Sequence, residues 1–164
     1  QCYERALRLP DCPPETHYNK GVALQRARKV EQAVACYREI LSRKPNEVQA
    51  HYNLANALWS EYRLDEAANH YNEALKIKPY FAEAHNNLGD IFGSQGRFDE
   101  AAVHFRQALR LKPYDADMHY NLGVLFFRQG KTGEAVAEFR STLQIDPNHT
   151  NARNILKALH KKTQ

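Results

Sequence analysis

The same residue types return every 34 positions along most of this chain, and no other feature restricts its fold so tightly. Pro45, Pro79, Pro113 and Pro147 are each 34 apart. In the same register stand Ala33, Ala67, Ala101 and Ala135, the aromatics Tyr37, Tyr71, Phe105 and Phe139, the small residues Gly21, Ala55, Gly89 and Gly123, and the amides Asn19, Asn53, Asn87 and Asn121. Within one unit, Ala82 to Pro113, the residues Leu88, Phe92, Ala101, Phe105, Ala108, Leu109 and Leu111 recur at helical spacing, broken once at Ser94-Gln95-Gly96. The pattern predicts two short helices joined by a tight turn, repeated, and hence an all-α fold.

Each column has a physical reading. The small residues at 21, 55, 89 and 123 are expected to face the alanines at 33, 67, 101 and 135, letting two helix backbones approach closely. Proline stops the second helix of each pair. Acidic residues open the second helices (Glu31, Asp65, Glu66, Asp99, Glu100, Glu134) and basic ones close three of them (Lys44, Lys78, Lys112), as the helix dipole favours. One hairpin cannot bury its apolar stripe alone, so stability is expected from stacking on neighbours.

With these residues the chain resembles the tetratricopeptide repeat family, whose pattern pairs Leu-Gly in a first helix with Ala, Phe or Tyr, Ala and then Pro in a second. The resemblance covers Pro14 to Pro147. It implies a right-handed α-solenoid of antiparallel helix pairs, used as a protein-protein interaction scaffold rather than as an enzyme. Complete repeats are expected at 14–47, 48–81, 82–115 and 116–149, within a single array over 1–164. Tyr3, Ala6, Leu7 and Leu9 match Tyr71, Ala74, Leu75 and Ile77, so 1–13 read as the second helix and turn of a truncated repeat, with further repeats or domains expected upstream. Ala152, Ile155, Leu156 and Leu159 form one apolar stripe, and 150–164 read as a capping helix. The first repeat diverges most, with Lys20 in the leucine column and Arg28 at the turn where Gly96 and Gly130 stand. Tyr62 holds that turn in the second.

Composition narrows the function classes. Charged residues at 26% and hydrophobic ones at 43% describe a soluble chain, and no apolar run approaches the ~20 residues of a membrane span. Three cysteines, Cys2, Cys12 and Cys36, are too few and irregular for a disulfide framework, which leans towards a reducing, cytoplasmic compartment. A net charge of +4 raises nucleic acid as a partner. The excess Lys and Arg fall on second helices and turns, a solvated face, so no nucleic-acid partner is expected. No phosphate-binding glycine loop, nucleophile elbow or paired carboxylates appear, and no catalytic residue is assigned. Asn148-His149-Thr150 is a glycosylation sequon of the kind common by chance. His17, His51, His85 and His119 form a column, as do Cys2, Cys36, His70 and His104. Successive members of a column lie ~8 to 10 Å apart on packed helices, whereas zinc ligands sit ~2 Å from one ion. These are therefore packing residues, and neither metal nor cofactor is expected.

In the family, residues of the first helices line the concave groove. Here they are Glu15, Tyr18, Val22, Gln25 and Arg26; Gln49, Tyr52, Asn56, Trp59 and Ser60; Glu83, Asn86, Asp90, Gly93 and Ser94; and Asp117, Tyr120, Val124, Phe127 and Arg128. That lining is mildly negative. The column Asn19, Asn53, Asn87 and Asn121 points to peptide binding, because a primary amide both donates and accepts and can pair with any peptide backbone. An extended strand rises ~3.3 Å per residue, so amides ~10 Å apart would meet about every third residue. The column resembles the asparagine ladder in the repeat domain of O-linked N-acetylglucosamine transferase, which holds substrate peptides. The family's carboxylate clamp for chaperone C-termini is disfavoured, since of its slots, occupied here by Tyr18, Val22, Asn53, Glu83 and Asn87, only Asn53 matches. Expected peptide-binding residues are therefore the four asparagines with Tyr18, Tyr52, Asn56, Trp59, Asn86, Asp90, Tyr120 and Phe127. The alternatives are a substrate-recruiting domain of a larger enzyme, such as a glycosyltransferase, or a self-associating array.

Overall fold

The computed structural model describes residues 14–162. The half repeat expected at 1–13 lies outside the described residues. Among the described residues there are nine α-helices and no strand: α1 (Pro14–Arg26), α2 (Val30–Arg43), α3 (Val48–Ser60), α4 (Leu64–Ile77), α5 (Ala82–Ser94), α6 (Phe98–Leu111), α7 (Ala116–Arg128), α8 (Thr132–Ile145) and α9 (Thr150–Lys162). The chain divides into two compact units, Gln1–Tyr80 and Phe81–Gln164. Helices pack in sequential pairs, α1 on α2 and α3 on α4 in the first unit, α5 on α6 and α7 on α8 in the second. No described helix is long and apolar enough to cross a membrane.

All four turns within the pairs share one geometry. The second residue after each first helix lies in the left-handed region: Arg28 at φ 57°, Tyr62 at 62°, Gly96 at 77° and Gly130 at 75°. The next N–H then reaches five residues back, Lys29 to Leu24, Arg63 to Leu58, Arg97 to Phe92 and Lys131 to Phe126, at 2.9 to 3.0 Å. This is a Schellman ending, which satisfies carbonyls that a helix terminus otherwise leaves bare. Glycine adopts it freely, while a side chain there costs about 1 kcal/mol or more. Each second helix begins at a basic residue with no side-chain cap, and Arg63 and Arg97 instead fork onto Glu66 and Glu100 in the first turn.

The core of each pair is the aromatic column. Tyr37, Tyr71, Phe105 and Phe139 are buried, as are Ala33, Ala67, Ala101 and Ala135. Here the expectation for the glycine column needs correcting. A methyl added at Gly21, Gly89 or Gly123 would lie 2.7 to 2.8 Å from the ring of Tyr37, Phe105 or Phe139. The small column thus makes room for the aromatic ring of its own repeat, and not for the alanine column. In the second unit, Ala82, Ala108 and Met118 join the third repeat to the fourth, with Leu109 and Leu111 packed against them.

The 34-residue register runs on into α9, which begins 34 positions after α7. Ala152 is buried and Ile155, Leu156 and Leu159 are half-buried, so the amphipathic stripe is turned inward. Lys157 stands in the glycine column and Ile155 in the asparagine column. A side chain at the first of these positions leaves no room for a ring like that of Phe139.

Candidate functional site

The asparagine column is positioned by the first helices, with Asn19 exposed and Asn53, Asn87 and Asn121 half-buried. Its amides already hold neighbouring repeats. Asn53 Nδ2 donates to Tyr18 Oη at 3.0 Å in the first unit, and Asn121 Nδ2 donates to Asn86 Oδ1 at 3.2 Å in the second. Each donation reaches back 35 residues to a first-helix residue of the previous repeat. Asn53 keeps a second N–H and its Oδ1, while Asn121 also has Asp90 Oδ2 at 3.5 Å.

Around this column the aromatic residues rest on the buried rings. Tyr18 meets Tyr37 with centroids 6.4 Å apart, Tyr52 meets Tyr71 at 5.7 Å and Tyr120 meets Phe139 at 5.8 Å. Tyr120 also lies 4.7 Å from the His149 ring. Trp59 is half-buried and Phe127 is 45% exposed, an unusual degree for so large an apolar ring. The buried tyrosines send their hydroxyls out to this same surface: Tyr37 donates to Gln25 Oε1 at 2.7 Å and Tyr71 to Asn56 Oδ1 at 2.5 Å. Of the acids counted in the lining, Glu83 is paired with Lys112, and Asp117 lies 3.5 Å from His149 Nε2.

Asp90 stands apart. Its Oδ2 has two amide nitrogens, of Asn86 and Asn121, each at 3.5 Å, the far limit of a hydrogen bond. Burial pushes its carboxyl up to about 7.

The two histidine-bearing columns, each read alone as packing, meet one another within each pair. His51 and His70 share Nδ1 to Nδ1 contacts of 3.0 Å, as do His85 and His104, while His119 Nδ1 faces Glu138 Oε2 at 2.7 Å. His51 Nε2 also reaches the Pro45 carbonyl at 2.9 Å. A carbonyl only accepts, so Nε2 carries the proton, and the His51 Nδ1 lone pair accepts from His70 Nδ1–H. Burial, and then the facing ring, hold both His70 and His104 below the usual histidine range, His104 at about 4. The signal for this pairing was a constant 19-residue offset between the columns, 51 to 70, 85 to 104 and 119 to 138. Among the described residues no group of three or more His, Cys, Asp or Glu is placed to hold a metal ion.

The sequence profile of the tetratricopeptide repeat family matches residues 18–80 and 81–150. Among solved structures, a crystal structure of MamA is 19% identical, with a TM-score of 0.83 over 91% of this chain and 87% of that one. TTC0263, a thermophilic TPR protein of Thermus thermophilus, is 23% identical with a TM-score of 0.77 over 95% and 86%. The pilF protein of Pseudomonas aeruginosa is 23% identical with a TM-score of 0.77 over 93% and 66%. At these identities the likeness is one of fold. No curated protein sequence matches the chain.

Proposed function

The chain belongs to the tetratricopeptide repeat family, an all-α solenoid class of protein-protein interaction scaffolds, and we propose that the first helices of each unit hold an extended peptide segment of a partner protein. One observation carries this reading. In both units the first helices present amides, phenol rings and large apolar rings: half-buried Tyr52, Asn53, Asn56 and Trp59 in one, half-buried Asn86, Asn87, Tyr120 and Asn121 with exposed Phe127 in the other, Tyr52 and Tyr120 resting on the buried Tyr71 and Phe139 rings. Rigid rings supply contact area at small entropic loss, and amides supply backbone hydrogen bonds indifferent to the ligand's side chains. Such a set holds a chain and has no group poised to cleave or modify it. Asn53 and Asn121, already tied at Nδ2, would serve a ligand mainly through Oδ1 and the remaining N–H, as acceptors as much as donors. Asn19, exposed, has the most freedom.

The test is titration of a blocked, labelled peptide of about a dozen Ser, Thr and Ala residues into the wild type and into the triple variant Asn53→Ala, Asn87→Ala, Asn121→Ala. Each lost hydrogen bond is expected to weaken binding by about 0.5 to 1.5 kcal/mol. Melting is followed in parallel, because the amide links between repeats are lost as well. Binding that weakens only in step with stability would assign the amides to the scaffold.

A further inference from the structure

The second and third repeats place different chemistry at the same two positions. In the second, Tyr71 donates its hydroxyl to Asn56 Oδ1. In the third, the ring at that position is Phe105, which has no hydroxyl, and the side chain above it is Asp90. By the 34-residue register the carboxyl takes the place of Asn56 and lacks the hydroxyl donor that Asn56 receives. Only the two long contacts from Asn86 and Asn121 remain to it.

The same repeat is also short of bulk. Asn86 occupies the position held by Tyr18, Tyr52 and Tyr120 elsewhere, and Gly93 the position of Trp59 and Phe127. Gly93 is buried, and a methyl on it would touch Leu125 Cδ1 at 3.4 Å and lie 3.8 Å from Ala101 Cβ, so no ring stands at this position in the third repeat. In the second unit this leaves a half-buried carboxyl on the first-helix lining, flanked by the amides of Asn86 and Asn121. Three basic side chains of the same unit are held elsewhere: Lys112 by Glu83, Arg97 by Glu100, and Arg128 against the Phe98 ring at 5.4 Å.

We propose that Asp90, with Asn86 and Asn121 beside it, is a subsite for a cationic side chain, arginine above all, of the peptide bound to the second unit. The inference rests on the peptide-binding reading above and adds charge selectivity to it. A guanidinium supplies the forked donors that Asp90 lacks, and Asn121 Oδ1, together with the second lone pair of Asn86 Oδ1, which already accepts from Asn121 Nδ2, could accept from its edges. Burial alone accounts for the raised affinity of Asp90 for its proton, so a bound cation relieves an existing penalty rather than competing with an internal ion pair.

The experiment uses the whole chain as wild type, Asp90→Asn and Phe105→Tyr, with three blocked peptides of Ser, Thr and Ala that differ at one central residue: arginine, its neutral isostere citrulline, or glutamate. In fluorescence anisotropy near pH 8, the wild type should bind the arginine peptide about tenfold or more tighter than the citrulline peptide, as a hydrogen-bonded charge pair supports. The glutamate peptide should be weakest. In Asp90→Asn the ratio of arginine to citrulline affinity should fall to about one. Phe105→Tyr, which supplies the hydroxyl found in the second repeat, should reduce the preference without removing the charge. Melting curves of both variants check that they fold. Equal binding of the arginine and citrulline peptides by the wild type, or a preference that survives Asp90→Asn, overturns the subsite and leaves the peptide-binding reading standing. Failure of all three peptides to bind overturns both.

Discussion

The first unit carries tyrosine at both buried aromatic positions, Tyr37 and Tyr71, with non-glycine residues at both left-handed turns, Arg28 and Tyr62. The second carries phenylalanine, Phe105 and Phe139, with Gly96 and Gly130 at its turns. Polar groups beside the rings are satisfied in the first unit, since Gln25 and Asn56 accept the tyrosine hydroxyls, but the backbone there is strained. The second unit has relaxed turns and a carboxyl left without a strong donor. Identical helix pairs thus place their energetic defects at different levels, backbone in one and side chain in the other. The side-chain defect lies on the first-helix lining proposed to hold the ligand, and sites of function commonly keep such a penalty.

Substitutions in the shared aromatic floor should erase the difference. Tyr71→Ala in the first unit and Phe105→Ala in the second should each destabilise by about 3 to 5 kcal/mol, seen as a large drop in melting temperature. Gly89→Val, whose first carbon would sit 2.7 Å from the Phe105 ring, should cost about 1 to 3 kcal/mol through overpacking.

Acid should separate the units through groups of opposite sign. The folded protein holds His104 at about 4 against an ordinary 6.5, with His85 and Glu100 as its charged neighbours. Its contribution is intact above pH 6.5 and is lost as pH falls towards 4. His70, faced by His51, Arg38, Glu66 and Glu73, moves in the same direction in the first unit. Asp90 is raised from 3.8 to about 7, so it destabilises the second unit as pH rises from 4 to 7. The two effects oppose each other in the second unit alone. Asp90→Asn should therefore raise stability at pH 8 by on the order of 1 to 2 kcal/mol and steepen the loss below pH 6, both read from denaturant unfolding across pH.

Exchanging the hydroxyl should give effects of opposite sign. Tyr71→Phe leaves Asn56 Oδ1 without its donor and should destabilise by about 1 kcal/mol, whereas Phe105→Tyr should stabilise by a similar amount at pH 8. Loss of stability in both would mean that the Phe105 site has no room for the oxygen. Smallest is the exchange of turns. Tyr62 is 84% exposed, so Tyr62→Gly sacrifices no packing and should gain about 0.5 to 1 kcal/mol, while Gly96→Ala, with nothing within 4 Å of the added methyl, should lose as much.

The helices and turns were legible in the sequence because the 34-residue columns carry them: proline ends, alanine and ring positions, and the turn residues Gly96 and Gly130 with their substitutes Arg28 and Tyr62. Columns say which residues are equivalent and not which columns touch. That is why the glycines were set against alanines when the rings of Tyr37, Phe105 and Phe139 take their space. It is also why His51 and His70 were each judged alone, although their 19-residue offset recurs. The asparagine donors looked available because Tyr18 and Asn86 stand 35 residues earlier, one position off the register being read. Asp90 was visible as a lining acid, but its character depends on the hydroxyl missing from Phe105.

The central claim is that binding belongs to the first helices, and an amide chemical-shift map of the 15N-labelled chain, titrated with the Ser, Thr and Ala peptide bearing a central arginine, tests it most directly. Shifts are expected along Tyr52 to Trp59 of α3 and along Asn86 to Gly93 and Tyr120 to Phe127 of α5 and α7, together with the side-chain amides of Asn53, Asn86 and Asn121. The exposed second-helix positions Asp65, Asn69, Asp99 and Val103 should stay in place. Shifts concentrated on those second-helix residues, with the asparagine amides unmoved at saturation, would contradict the account.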